Sequence, residues 1–376
     1  MLWTSLSCIL AGNTCRSKIK SFFKQADHIG GTIMRKLGNT LYVTLPDVYL
    51  SLDGENIVVL QDGKEVRRIP LHNLESILVF GYTGASPALM GACARRGIAL
   101  SFFTPSGRFL SRVTGEGHGN VVLRKTQYRI SDDEQQSLGI ARSFLFGKLH
   151  NSRWVLERAM RDHPMRLDAT KVDRASGFLK NALEQLSQAQ NLEQLRGVEG
   201  EAASRYFSVF DELILQQKDS FSFSSRSRRP PLDRVNALLS FTYSLLAHDV
   251  SSALESVGLD PYVGFLHRDR PGRTSLSLDL MEEFRSVIAD RFVLSIINKK
   301  QVKATGFTEK ENGAILMDDD TRRSVLNAWQ LRKQELLTHP FLEEKIPWGL
   351  APYIQAMLLA RYLRGDLDGY PPFFWK

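Results

Sequence analysis

The chain has 376 residues, 43% of them hydrophobic, with a mean hydropathy of -0.21, which is room for two domains of ordinary soluble composition and requires no membrane span. Lysine and arginine number 49 against 41 aspartates and glutamates, leaving +8 and a pI near 9.3, a balance that suits a polyanionic partner without demanding one. The three cysteines, Cys8, Cys15 and Cys93, are odd in number and lack metal-type spacing, which argues against a disulfide framework and for a reducing compartment; Met1 to Leu10 lacks the basic and long apolar stretches of a signal peptide.

Residues 1–33 show little periodicity and read as an N-terminal extension. From Leu41 to about Val122, short runs of β-branched and aromatic residues alternate with turn signals such as Asp53-Gly54 and Asp62-Gly63. Strands are expected at Ile57 to Leu60, Val66 to Ile69, Ser76 to Phe80, Ile98 to Phe103 and Phe109 to Val113, with one helix at Ser86 to Arg96 between Pro87 and Gly97. After Ser131-Asp132-Asp133 the texture turns helical. The fold class is therefore α+β, a small β-rich domain over 34–125 followed by a larger all-α domain over 126–376. Asp233 opens a long apolar helix, Val235 to Val257, expected at the centre of the core, and Leu276 to Lys300 reads as another continuous helix. A hairpin is expected around Asn312-Gly313, then a helix through Trp329 to Leu337 and a last helix from Pro347 to about Arg364.

Two stretches stand out chemically. In Arg196 to Phe210, Glu199 shares a helical face with Ala202, Ala203, Tyr206 and Phe210. Either it points inward and needs a cation, a hydrogen-bond partner or a proton, or it lies in the first turn and faces solvent as Glu201 could. His267 follows an apolar segment in a loop rich in proline and glycine that leads to a helix with carboxylates; a lone histidine is commonly structural. Two carboxylates and an imidazole from three separate elements are nonetheless a ligand set suited to Mg²⁺ or Mn²⁺.

The segments Gly197-Val-Glu-Gly-Glu-Ala-Ala, Arg228-Arg-Pro-Pro-Leu-Asp-Arg-Val-Asn-Ala, Gly258-Leu-Asp-Pro-Tyr-Val-Gly-Phe-Leu-His and Leu278-Asp-Leu-Met-Glu-Glu-Phe-Arg resemble the universal CRISPR-associated integrase, which inserts new spacers into a repeat array. The C-terminal stretch, Gly349-Leu-Ala-Pro-Tyr-Ile-Gln-Ala and Arg364-Gly-Asp-Leu-Asp-Gly-Tyr-Pro-Pro-Phe, is similar to the type I-C branch. The resemblance spans Met34 to Lys376. It implies Glu199, His267 and Glu282 as metal ligands and catalytic residues, with Asp279 orienting a ligand or bound water. It also implies a homodimer joined through the β domain, a small ferredoxin-like partner protein, an end-processing nuclease as a further partner, and a prokaryotic cytoplasmic setting.

The implied reaction is a transesterification in which a protospacer 3′-hydroxyl attacks a phosphodiester of the repeat, helped by Mn²⁺ or Mg²⁺. Arg226, Arg228, Arg229, Arg268 and Arg285 are expected phosphate contacts, each with the alternative of a surface charge or a rim ion pair. A repair-type, structure-specific metal-dependent endonuclease and a non-catalytic DNA-binding scaffold are the rival readings. The tail Tyr370 to Lys376, with its two prolines, either folds back on its own helical domain or docks aromatic side chains on a partner.

Overall fold

The computed structural model describes residues 40–43, 45, 47–74, 76–104, 109–113, 115 and 121–375. The extension over residues 1–33, together with Cys8, Cys15 and His118, lies outside the described residues. Within them the N-terminal part consists of β1 (Thr40–Val43), β2 (Val48–Asp53), β3 (Asn56–Gln61), β4 (Lys64–Pro70), β5 (Ser76–Phe80), α1 (Pro87–Arg96), β6 (Ala99–Phe103) and β7 (Phe109–Val113). β2, β3 and β4 form an antiparallel meander, and the second turn has Asp62 and Gly63 both at positive φ, as the two-residue hairpin signal requires. The other sheet has the order β1-β5-β6-β7, with the first two pairings parallel and the last antiparallel.

All five residues of β5 are buried, as expected for a parallel strand covered on both faces. Ile77 and Val79 face a small core shared with Leu50, Ile57 and Leu89, whereas Leu78 and Phe80 join the large helical core. The β-rich part is thus joined to the helices mainly through β5, with Phe103 of β6 in the same core. Ser76 Oγ shares a 3.3 Å hydrogen bond with His248 Nε2, and Arg112 pairs with Glu255 at 2.6 Å across the same seam.

The helical part begins earlier than the sequence pattern indicated. Val121 and Val122 read as the end of a strand, yet α2 (Val121–Asp132) starts there, because Leu123 and Gln127 pack inward and Gln127 bonds the backbone of residues 260 and 263. There follow α3 (Glu134–Asp162), α4 (Ala169–Gln188), α5 (Leu192–Ser208) and α6 (Arg234–Ser256). Their N-caps are Asp133, Asp168, Asn191 and Asp233, each accepting from backbone amides of the first turn. α6 is the central helix, with Leu238, Leu239, Leu245 and Leu246 buried, as its composition predicted.

The expected continuous helix from Leu276 to Lys300 is broken. α7 (Ser275–Met281) ends at Glu282, residues Arg285–Asp290 wind as a π-helix, and α8 (Arg291–Asn298) resumes the ordinary ladder. Then come the hairpin β8 (Phe307–Glu309) and β9 (Ile315–Met317), α9 (Asp319–Gln334), a second hairpin of β10 (Leu336–Thr338) and β11 (Lys345–Pro347), and α10 (Ala351–Leu363). The helix expected to reach Leu337 stops short because residues 336–338 pair with 345–347 instead. No helix among the described residues is long and apolar enough to cross a membrane.

The tail folds back. Phe373 is fully buried against Phe284, His339 and Trp348, its N–H donates to Glu283 Oε2 at 2.9 Å, and Asn151 bonds both Phe373 O and Trp375 N. The Trp375 ring lies under the guanidinium of Arg291, 4.2 Å from its centroid.

Two outcomes follow from this packing. Phe373→Ala should cost about 3–5 kcal/mol in urea unfolding, and a loss under about 1 kcal/mol would mean that the tail does not hold this position in solution. Burial lowers His248 from 6.5 to about 4. The unfolded chain therefore binds a proton that the native chain refuses over that window, so this contribution to stability is complete above pH 6.5 and is lost as pH falls toward 4. Relative to the parent, His248→Gln should gain up to about 1.4 kcal/mol per pH unit on acidification through the window. A pH-independent difference would show that the imidazole is charged inside the fold.

Candidate metal centre

The loop from α6 to α7 is shaped around one buried carboxylate. Asp279, fully buried on α7, accepts from Phe265 N at 2.6 Å and Leu266 N at 2.9 Å through Oδ2, and from His267 N at 3.0 Å through Oδ1. The same Oδ1 lies 2.5 Å from His267 Nδ1. A carboxylate accepts, so Nδ1 carries a proton, and Nε2 is the ring nitrogen left to act as a ligand in the neutral imidazole. Gly264 permits this approach: a Cβ there would stand 2.8 Å from Asp279 Oδ2 and 2.8 Å from Ser275 Cβ. Ser131 and Gln127 of α2 fasten the far side of the loop, and Arg196 of α5 bonds Leu266 O at 2.7 Å, tying the helix that bears Glu199 to the loop that bears His267.

Glu199 lies at the rim of the inward face of α5, its side chain 28% exposed, and its partner is Lys148 of α3, to which it is ion-paired. Lys148 Nζ also lies 2.8 Å from Glu282 Oε2, and Arg285 approaches Glu282 Oε1 at 3.4 Å. Burial works against charge on Glu282, but Arg285, Lys148 and His267 outweigh it and pull the carboxyl down to about 2. Glu199 and Glu282 thus meet on one ammonium, with the imidazole within electrostatic range of Glu282. Among the described residues, no three His, Cys, Asp or Glu side chains already stand in a metal-holding group. The ammonium lies where two of the three expected ligands converge.

The break after α7 gives the neighbouring glutamates different tasks. Glu282 faces the charged cluster, while Glu283 turns to the tail, accepting from Gln355 Nε2 and Phe373 N at 2.9 Å each. Burial raises Glu283 to about 8.

The expected arginines divide. Arg226 is committed inward, bonding Asn236 Oδ1 at 2.6 Å and Ser240 Oγ at 3.1 Å with its guanidinium over Tyr243. Arg285 lies over the same ring, next to Glu282. Arg228 and Arg229 are exposed, and Arg268 is exposed with Glu193 at 3.5 Å. Arg270 and Arg273, which sequence reasoning passed over, lie on the same loop as Arg268. Lys148 was also missed. Its signal was there: Leu145, Lys148, Leu149 and Ser152 share a helical spacing, which puts a cation on a buried stripe.

Two carboxylates that share one ammonium, Glu199 and Glu282, beside a tautomer-fixed imidazole are a donor set that suits a divalent cation. The profile of the family described as "CRISPR associated protein Cas1" matches residues 41–331. The chain belongs to that family. It is 52% identical to the CRISPR-associated endonuclease Cas1 1 of Chlorobaculum tepidum over 343 residues, 91% of this chain and 100% of the relative. It is 35% identical to a CRISPR-associated exonuclease Cas4/endonuclease Cas1 fusion of Geobacter sulfurreducens, covering 89% of this chain and 60% of that one. Among solved structures, a casposase bound to its integration product has the same fold with a TM-score of 0.77 at 22% identity, covering 90% of this chain and 94% of the other. A chain of a Cas6-RT-Cas1–Cas2 complex superposes with a TM-score of 0.75 at 24% identity, covering 92% of this chain and 37% of that one.

Asp279→Ala would leave three backbone amides and the His267 Nδ1–H without their acceptor. The loss should reach about 3 kcal/mol or more in urea unfolding, whereas a change under about 1 kcal/mol would mean that the loop finds another acceptor.

Proposed function

We propose that Glu199, His267 and Glu282 are the divalent-ion ligands with which this Cas1-family chain acts as a CRISPR-adaptation integrase, joining protospacer 3′-hydroxyl ends to the repeat by transesterification. The observation that carries the reading is the convergence of Glu199 and Glu282 on one cation beside an imidazole whose Nδ1–H is held by Asp279. Glu199, His267 and Glu282 would hold Mn²⁺ or Mg²⁺, which would supply polarisation of the scissile phosphate and offset charge on the attacking and leaving oxygens.

The protein's own groups supply the rest. Asp279 fixes the ring orientation and the Nδ1–H tautomer of His267, which leaves Nε2 as the nitrogen available to a metal. Glu282 is ionised throughout the physiological range because cations outweigh its burial. Arg268, Arg270 and Arg273, on the loop after His267, and the exposed Arg228 and Arg229 are the proposed contacts to DNA phosphates. Arg285 holds Glu282, and Arg226 braces Tyr243, so these two support the site from inside.

The chain works on DNA as a homodimer in the prokaryotic cytoplasm, together with the small ferredoxin-like adaptation protein and an end-processing nuclease. Support comes from the Cas1–Cas2 composition of a structural neighbour and from the Cas4–Cas1 fusion among relatives. A repair-type nuclease would use the same ligands with water as nucleophile.

On a repeat-containing plasmid with the small partner present, the parent chain should give strand-joined products that depend on Mn²⁺ or Mg²⁺. Glu199→Ala should lower joining at least about a hundredfold, the scale at which single electrostatic groups contribute, while DNA affinity stays within about twofold. Nicked products without joining would favour the nuclease, and undiminished joining by Glu199→Ala would remove the ligand assignment.

A further inference from the structure

Lys148 is an unusual lysine for this chain. It is 8% exposed, it comes from the middle of α3 between the buried Leu145 and Leu149, and its ammonium touches both carboxylates that the proposed function gives to a divalent ion. Lys171 also touches two carboxylates, Asp168 and Glu212, but its side chain is 62% exposed and its charge is largely met by water. Burial makes the Lys148 contact consequential. Without it Glu282 would be left with Arg285 and the imidazole of His267, and Glu199 would lose its ion-pair partner.

An ammonium and a divalent cation cannot both hold the same carboxylate lone pairs, because like charges repel strongly where water is scarce. Rigid packing of α3 fixes the backbone of residue 148, whereas its four-carbon stem can swing. We infer that Lys148 is the resident counter-ion of this site: it keeps Glu199 and Glu282 together before metal arrives and leaves their lone pairs when metal enters. Metal loading is then an exchange of an ammonium for a divalent ion. The lysine stabilises the metal-free fold and sets a threshold on metal affinity. This inference rests on the ligand assignment made above.

The test is Mn²⁺ titration of the full chain, followed by calorimetry and by the loss of the free-ion electron paramagnetic resonance signal, for the parent and for K148M, K148Q, K148R and E199Q. K148M and K148Q should bind Mn²⁺ roughly tenfold more tightly than the parent, since a competing charge has been removed, and K148R should stay near the parent. The metal-free thermal midpoint of K148M should fall by several degrees and recover at saturating Mn²⁺, on the order expected when a buried counter-ion is lost and then replaced. Equal or weaker Mn²⁺ binding in both neutral variants overturns the inference. If E199Q loses Mn²⁺ binding while K148M and K148Q do not gain it, only the counter-ion role falls. If E199Q binds Mn²⁺ as the parent does, the ligand assignment falls and takes this inference with it.

Discussion

Everything near the candidate centre depends on how a few buried charges are balanced. Glu282, Lys148 and Arg285 are nearly removed from water, and an isolated charge at such depth would cost several kcal/mol. The three therefore constrain one another's positions. α3 brings the ammonium, α5 brings Glu199, and the segment after α7 brings Glu282 and Arg285. A shift of any one element would leave a charge uncompensated, so the electrostatic requirement adds to apolar packing in fixing how these helices dock.

The helix break after α7 answers to the same requirement. An uninterrupted α-helix through residues 276–300 would carry consecutive glutamates around its surface at its own regular spacing. Instead the chain leaves the α ladder at Glu282 and passes through a π-helical stretch before resuming. Glu282 meets the cations while Glu283, equally buried, meets the amide of Phe373 and the side chain of Gln355. The C-terminal tail is consequently part of the scaffold behind the site. Asn151, one turn along α3 from Lys148, bonds both the backbone at Glu283 and the tail, so one helix touches the front and the back of the same segment.

The His267 loop follows another logic. It is irregular backbone, and irregular backbone that is buried must place its amides. Asp279 takes three of those donors and the imidazole Nδ1–H, so the group that shapes the loop also selects the tautomer. Shape and chemistry are coupled at a single carboxylate, and Gly264 is required because it leaves the space for that approach.

The sequence by itself determined the two-part α+β architecture, most strands of the β-rich part and their turns, the central helix and the segments holding Glu199 and His267. Such features are local: period-2 and period-3.6 patterning, Asp-Gly turns and acidic N-caps act over a few residues. It left Glu199 with either an inward or a solvent-facing role, and it made Arg226 equivalent to Arg228. Tertiary structure decided these, because a side chain's partner depends on which distant element stands opposite it: Lys148 lies 51 residues from Glu199, and Asn236 draws Arg226 inward. The break at Glu282 and the start of α2 at Val121 were likewise beyond local patterning. In both places the competing pull, buried charge in one and the carbonyls of a remote loop in the other, arises only once the chain has folded.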